Sequence, residues 1–298
     1  MGKLKLLAIG EVMAEIRKSD SGFAVNFAGD TFNTAIYAQR HMPQPQSVGY
    51  MTRIGTDPLS SGLLTMAQEE QLACDMIAKD NSLNIGIYSV TTDALGERSF
   101  HYWRNQSAAR RLFTIEETGQ FFPEADIIYL SGITLAILTP VGRERLCAVL
   151  QEQRKKGALI AFDSNYRPAL WEDAKTAREV MTQIWNMTDI ALPSIDDEMA
   201  LYGDVHEQDV IDRFASLNCR HIAIKRGTRG PISPHLTAAE HPLFAPASNV
   251  IDTTAAGDSF NGGYLAALLA GKDNADCLLA GHELAAKVVG APGAIMKA

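Results

Sequence analysis

From Asp126 onward the chain alternates short apolar runs with longer amphipathic ones, and this alternation does most to restrict the fold. The runs "DIIYLSG", "ALIAFDSN", "DIALPS" and "HIAIKRG" are short and almost continuously apolar, as strands buried on both faces are. Between them, "TPVGRERLCAVLQEQRKKG" opens on Thr-Pro and closes on basic residues and a glycine, which are helix start and stop signals. "EDAKTAREVMTQIWNMT" and "EQDVIDRFASLN" fill the next two gaps. Successive β-α units of this kind build a mainly parallel sheet covered by helices on both faces, an α/β fold. At the N-terminus, "MGKLKLLAIGEVMAEI" reads as a first strand, because its apolar run stops at Gly10 and Glu11 without a small-residue cleavage site. With 298 residues, 46% of them apolar, the chain has the material for one large core or two smaller ones.

Two stretches depart from this scheme: roughly Glu11 to Phe27, and Asn84 to Arg111. Both look like exposed β structure. "NIGIYSVTTDALGERSFHYWRN" alternates on either side of a polar, glycine-containing turn, as a hairpin does. A hairpin inserted in an α/β domain can serve as a lid that excludes water from reacting groups; a structural extension or a dimer contact is the plainer reading. The net charge of -8 and the lack of a basic tract argue against a nucleic-acid surface. No stretch reaches the roughly 20 apolar residues of a membrane helix. Cys74, Cys147, Cys219 and Cys277 are scattered without a Cys-x-x-Cys pair, which suits reduced thiols and a cytoplasmic location.

Ligands of open α/β sheets bind at the C-terminal ends of the strands, where "SGI", "DSNYRP", "PSIDDE" and "KRGTRG" fall. No Gly-x-Gly-x-x-Gly turn follows the first strand and no Walker A loop is present, so neither of those phosphate sites is available. "DTTAAGDSFNGGYLAAL" offers another. Phe260, Tyr264, Leu265, Leu268 and Leu269 recur at helical spacing, so a helix starts near Gly257 behind a run of small residues. The unpaired amides and the dipole at that end attract an anion. Asp258 at the first turn is either a cap or, beside a transferring phosphoryl group, the base that accepts the proton of an attacking hydroxyl.

"DTTAAGDSFNGGYLAALLAG" resembles the C-terminal signature of the ribokinase-like (PfkB) carbohydrate kinase family, and "FAGDTFNTAIYAQR" resembles its N-terminal glycine motif. The likeness spans nearly the whole chain. It implies one ribokinase-like domain over 1–298: a three-layer sandwich with a mainly parallel central sheet and a small β-sheet lid formed by about 11–35 and 84–111. It implies ATP as donor, Mg2+ on the phosphates, Asp258 as base, and an anion hole from the amides of Ala255, Ala256 and Gly257. Gly29, Asp30 and Asn33 match positions that hold sugar hydroxyls, with Ala28 where a second glycine is usual.

Within the family, "GERSFHYWRNQSAA", "LSGITLAIL" and "FDSNYRPALW" are similar to the kinases of keto-deoxy sugar acids. A sugar acid needs a cation, and the arginine fork suits a carboxylate; Arg104 and Arg167 are the candidates, with Arg167 alternatively reaching the donor phosphates. Tyr88 and Tyr102 alternate toward one side of the hairpin and are candidate substrate contacts. On the donor side the resemblance implicates Asn165, Lys225, Gly227, Thr228, Gly230 and again Gly257. Pro231 and Pro234 interrupt the hairpin expected next, since proline cannot donate to a ladder. "PSIDDE" stands in place of an Asn-x-x-Glu motif, offering Ser194 to the nucleotide and Asp197 to the metal, with Glu198 adjacent. The expected partners are a small sugar acid, ATP and a second copy of the chain through the lid. A kinase of fructose or another neutral sugar, or a non-catalytic sugar-binding protein, are the rival readings.

Overall fold

The structure is a computed structural model and describes residues 2–19, 22–92, 98–114 and 122–297. Its central sheet has seven strands: β1 (Leu4–Ile9), β4 (Val48–Ile54), β5 (Ile77–Lys79), β8 (Ala125–Ser131), β9 (Leu159–Asp163), β10 (Ile190–Ala191) and β11 (His221–Ile222). They lie in the order β11-β10-β9-β8-β1-β4-β5, and every neighbouring pair is parallel. Period-two alternation divides their side chains between two helical layers. Leu7, Ile9, Ile128 and Leu130 face α3 (Gly132–Ile137), α4 (Pro140–Lys155), α5 (Ala174–Trp185), α6 (Ile195–Tyr202) and α7 (Glu207–Ala215). Leu6, Ala8, Ile127 and Tyr129 face α1 (Asp30–Gln39), α2 (Pro58–Glu69), α8 (Ala256–Leu269) and α9 (Asn274–Val288). Burial on both sides is why these strands read as continuous apolar runs.

The helices start where their caps predict. Thr139 accepts from the Gly142 amide with Pro140 at the first turn of α4, and Asp173 accepts from the Thr176 amide at α5. At the far edge, order is lost sooner than "HIAIKRG" suggests. β11 has two residues, and between Ile222 and α8 the only sheet pairings are isolated bridges, Ser194 to Lys225 and Ile224 to Ile232. Pro231 beside that second bridge carries no N–H to extend it.

A second sheet stands over one end of the first. β2 (Met13–Ser19), β3 (Gly22–Ala28), β6 (Gly86–Thr92) and β7 (Arg98–Trp103) form it in the order β3-β2-β6-β7. It is mixed: β2 runs antiparallel to β3 and parallel to β6, and β6 and β7 form the hairpin. The hairpin tip at 93–97, with its glycine-containing turn, lies outside the described residues. The strand from the first segment ends at Ala28, and residues 30–35 belong to α1. Met13, Ala28, Tyr88 and Val90 on the inner face pack with Ala255 and Ala294, which seats the sheet against the start of α8.

Strand order reverses between β1 and β8, so the ends of these two strands open a crevice at the switch point. Two helices carry side chains into it. A Cβ on Gly262 would lie 3.0 Å from the carbonyl oxygen of Thr34, so this glycine lets α8 press against α1. That approach brings Asn33 beside Asp258.

Candidate active site

Helix α8 is preceded by Ala255, which takes a left-handed conformation (φ 62°), and no side chain caps it. Asp258 lies in its first turn but does not serve as a cap; its Oδ2 accepts from Asn33 Nδ2 at 2.8 Å. The chain turns tightly into the helix: Asp252 Oδ1 accepts from the Thr254 amide at 2.8 Å, and the Ala256 amide donates to the Thr253 carbonyl at 3.3 Å. One of the three amides expected in the anion hole thus already has a partner. Burial, then the charge of Asp30, push the Asp258 carboxyl up to about 7, against the opposing hydrogen bond from Asn33. Asp30 is raised as well, by burial, although Ser131 Oγ and Asn165 Nδ2 donate to it at 2.5 and 2.7 Å. Asn165, read from sequence as a donor-side residue, therefore reaches Asp30 here, from a backbone held at φ 28°.

Gly29 has an extended backbone, with φ at -175°. Its lack of a Cβ matters because the carbonyl of Glu11 occupies that space. The close approach is therefore within the protein, between the start of α1 and the end of β1.

The second sheet lays a row of side chains across its inner face. Asn26, Glu15, Tyr88 and Tyr102 stand opposite one another on successive strands. Tyr88 is buried and donates to Glu15, whereas Tyr102 is half exposed, with its ring 5.8 Å from that of Tyr88. Glu15 also holds Arg17, whose Nη1 lies 3.6 Å from Asp252 Oδ2. Asp252 in turn accepts from the Gly293 amide at 2.7 Å. A polar chain thus links Tyr88 to the loop that enters α8. Arg104, just past β7, is buried and donates to Glu11.

On the other side of Asp258, Lys225 Nζ bonds Asp163 Oδ2 at 2.7 Å and Asn261 Oδ1 at 3.2 Å. A Cβ on Gly257 would come 3.6 Å from that ammonium, so Lys225 adds positive charge at the helix start. Ser194 bridges to Lys225, and its amide is held by Ser164 Oγ at 2.9 Å. Gly227 and Thr228 sit on an exposed short helical turn, and the buried Gly230 that closes it has φ 74°. Arg167 is exposed and pairs with Asp197 at 3.1 Å, so the two candidate arginines do not share a partner. Burial raises the Asp197 carboxyl, and Arg167 opposes the shift. Glu198 is fully buried against Arg213 at 3.2 Å and pushed up to about 8 by that burial, which makes it part of the α6–α7 packing.

Sequence reasoning passed over Glu11, Glu15, Arg17, Ser131, Asp163, Asp252 and Asn261. Ser131 and Asp163 end strands and Asn261 lies one turn along α8, but Glu15 and Arg17 fall inside β2 and Asp252 in a loop, where nothing local hinted at a role. Their partners lie far away along the chain, as the Glu11–Arg104 bond and the Arg17–Asp252 contact illustrate.

An uncapped helix start, a carboxyl pushed up to about 7 in its first turn, and polar groups from two sheets around it are features that a kinase site requires. The model of the pfkB family of carbohydrate kinases matches residues 3–298. The chain belongs to this family. A 2-dehydro-3-deoxygluconokinase of Escherichia coli K12 is 38% identical over 301 residues, which cover 98% of this chain and 97% of that protein. Among pfkB kinase folds of known structure, the 2-dehydro-3-deoxygluconokinase of Thermotoga maritima superposes with a TM-score of 0.79 at 20% identity, covering 98% of this chain and 96% of that one. A fructokinase double mutant of Vibrio cholerae O395, bound to fructose, ADP and potassium ion, gives 0.84 at 20% identity, covering 98% and 94%. The ribokinase-like fold of a parallel central sheet with a smaller mixed sheet is common to this group.

Proposed function

We propose that this protein transfers the γ-phosphoryl group of ATP to the terminal hydroxyl of 2-keto-3-deoxygluconate, giving the 6-phosphate and ADP. The observation that carries the reading is Asp258: a carboxylate at the uncapped start of α8 whose pKa of about 7 suits proton transfer at neutral pH. Asp258 takes the hydroxyl proton as the oxygen forms its bond to the γ-phosphorus and the bond from that phosphorus to ADP breaks. The amides at the start of α8, with Lys225 beneath Gly257, stabilise the charge on the transferring group. Asn33 orients the base, and Asp30, Asn33 and the backbone of Gly29 line the place of the sugar.

The buried Arg104 meets the sugar carboxylate, with Tyr88 and Tyr102 beside it on the second sheet, which acts as the lid. Arg167, paired with Asp197 and exposed, belongs with the donor phosphates in this reading, alongside Asn165, Ser194, Gly227, Thr228 and Gly230. No group of three or more metal-ligating side chains is gathered among the described residues. That composition fits Mg2+, which keeps most of its ligands as water and donor phosphate oxygens and needs one or two carboxylates. Asp197 is the one that would hold it, and the ion would neutralise phosphate charge. A cytoplasmic location goes with this activity. The outer face of the second sheet exposes Phe23, Val25 and Trp103, and we assign it to pairing with a second copy.

The test is ADP release from Mg-ATP over 2-keto-3-deoxygluconate, 2-keto-3-deoxygalactonate, fructose, ribose and gluconate, with Asp258→Asn as control. Preference for 2-keto-3-deoxygluconate is expected, with turnover reduced about 10²–10⁴-fold in the control. Turnover of fructose or ribose instead would reject the sugar-acid reading and leave the role of Asp258 standing.

A further inference from the structure

Glu11 follows the end of β1 by two residues, at the point where strand order reverses, and only 1% of its surface is exposed. Its two carboxylate oxygens have different fates. Oε2 accepts from Nη2 of Arg104, itself 6% exposed. Oε1 is buried and has no hydrogen-bond partner. A buried charged oxygen without a donor is costly, and native proteins keep few of them. Such an atom inside a binding crevice marks a place where the ligand brings the donor.

Oε1 is closely surrounded, yet none of its neighbours donates to it. It faces the bare Cα of Gly86, where a Cβ would lie 3.1 Å from Oε1 and 3.1 Å from the Cβ of Arg104. Gly29 borders the same residue from the α1 side. Gly86 keeps a side chain off the Glu11 carboxylate, whereas Gly29 makes way for the Glu11 main-chain carbonyl. Gly86 is also the strand neighbour of Met13, two residues before the row of Glu15, Tyr88 and Tyr102. The orphan oxygen therefore lies where the end of β1 meets the second sheet, next to the arginine proposed for the carboxylate.

We propose that Glu11 is a specificity-determining residue: its Oε1 accepts a hydrogen bond from a non-reacting hydroxyl of the acceptor, while its Oε2 fixes Arg104 for the acceptor's carboxylate. This rests on the sugar-acid reading given above. One side chain then ties hydroxyl recognition to carboxylate recognition, so the enzyme selects acids in which the two groups stand in one spatial relation. A hydroxyl-accepting site rejects analogues that lack the hydroxyl, because the buried acceptor is left unpaired.

The experiment measures kcat/KM for 2-keto-3-deoxygluconate and its 4-deoxy and 5-deoxy analogues, using the full-length wild type and Glu11→Gln. Glutamine can still accept from Arg104 but places an NH2 donor where Oε1 was. A loss of about 10–100-fold on the parent acid, with little loss on one of the two deoxy analogues, is expected. Equal losses on all three acids would show that Glu11 acts only through Arg104, and no loss on the parent would remove its role altogether; either result overturns the proposal. Wild type that turns over fructose or ribose but none of the acids overturns the sugar-acid reading and this inference with it. If the variant does not fold, a crystal structure of Asp258→Asn with 2-keto-3-deoxygluconate bound decides the matter. A substrate hydroxyl within about 3.2 Å of Oε1 is expected, and its absence there overturns the proposal.

Discussion

The surroundings of Asp258 disfavour its charged form, and that has two measurable consequences. Its carboxyl titrates near 7 because burial and Asp30 disfavour the anion. As the base must be deprotonated, kcat/KM should rise with pH and level off above about 7, as a pH–rate profile will show. Stability moves the other way. The folded pKa lies above the ordinary carboxyl value of 3.8, so between roughly pH 4 and 7 the folded state binds more protons and stability falls as pH rises. Asp258→Asn, which keeps an acceptor for Asn33, should therefore melt higher than wild type at pH 8 by an amount worth a few kcal/mol. The gap should narrow toward pH 4 in thermal melts. At this scale the sequence was legible for Asp258, whose neighbours announce a helix start. It was not legible for Glu11 or Asp163, because a lone acid after an apolar run looks the same whether it meets solvent, an arginine or a lysine.

The elements that carry the site depend on close packing more than on propensity. The junction of β3 and α1 passes so near the end of β1 that a methyl group on Gly29 would collide with the Glu11 carbonyl. Gly29→Ala should therefore force the two elements apart, at a cost of about 1–3 kcal/mol in stability, and displace Asp30 and Asn33. Calorimetry should show a lowered Tm, and steady-state kinetics a larger fall in kcat/KM than the lost stability explains. Caps and periodicity were enough to find α4, α5 and α8. The β11 edge was overread: "HIAIKRG" has strand composition, but two residues pair as strand and the chain then leaves into irregular structure. Pairing needs a neighbour with free donors, and local composition does not say whether one arrives.

For the whole molecule, the second sheet is the part with work left to do. Its inner face is seated on Ala255 and Ala294, while Phe23 is 78% and Trp103 62% exposed on the opposite side. Large apolar side chains exposed on one face of a sheet are what a protein–protein contact would cover. If it pairs two copies, Phe23→Asp should shift the protein from dimer to monomer in light scattering, with melting changed little because the side chain is exposed. A wild type that is monomeric at micromolar concentration would dismiss the pairing. The sequence by itself determined the α/β class, the parallel sheet, the hairpin insertion and the helix that starts near Asp258, because each is written in local periodicity and cap chemistry. Only the tertiary structure decided that Arg104 meets Glu11, that Asn165 reaches Asp30, and that Arg167 and Asp197 meet each other. Those pairings join residues far apart in the chain, and which partner each charge finds is set by how the strands are ordered in space.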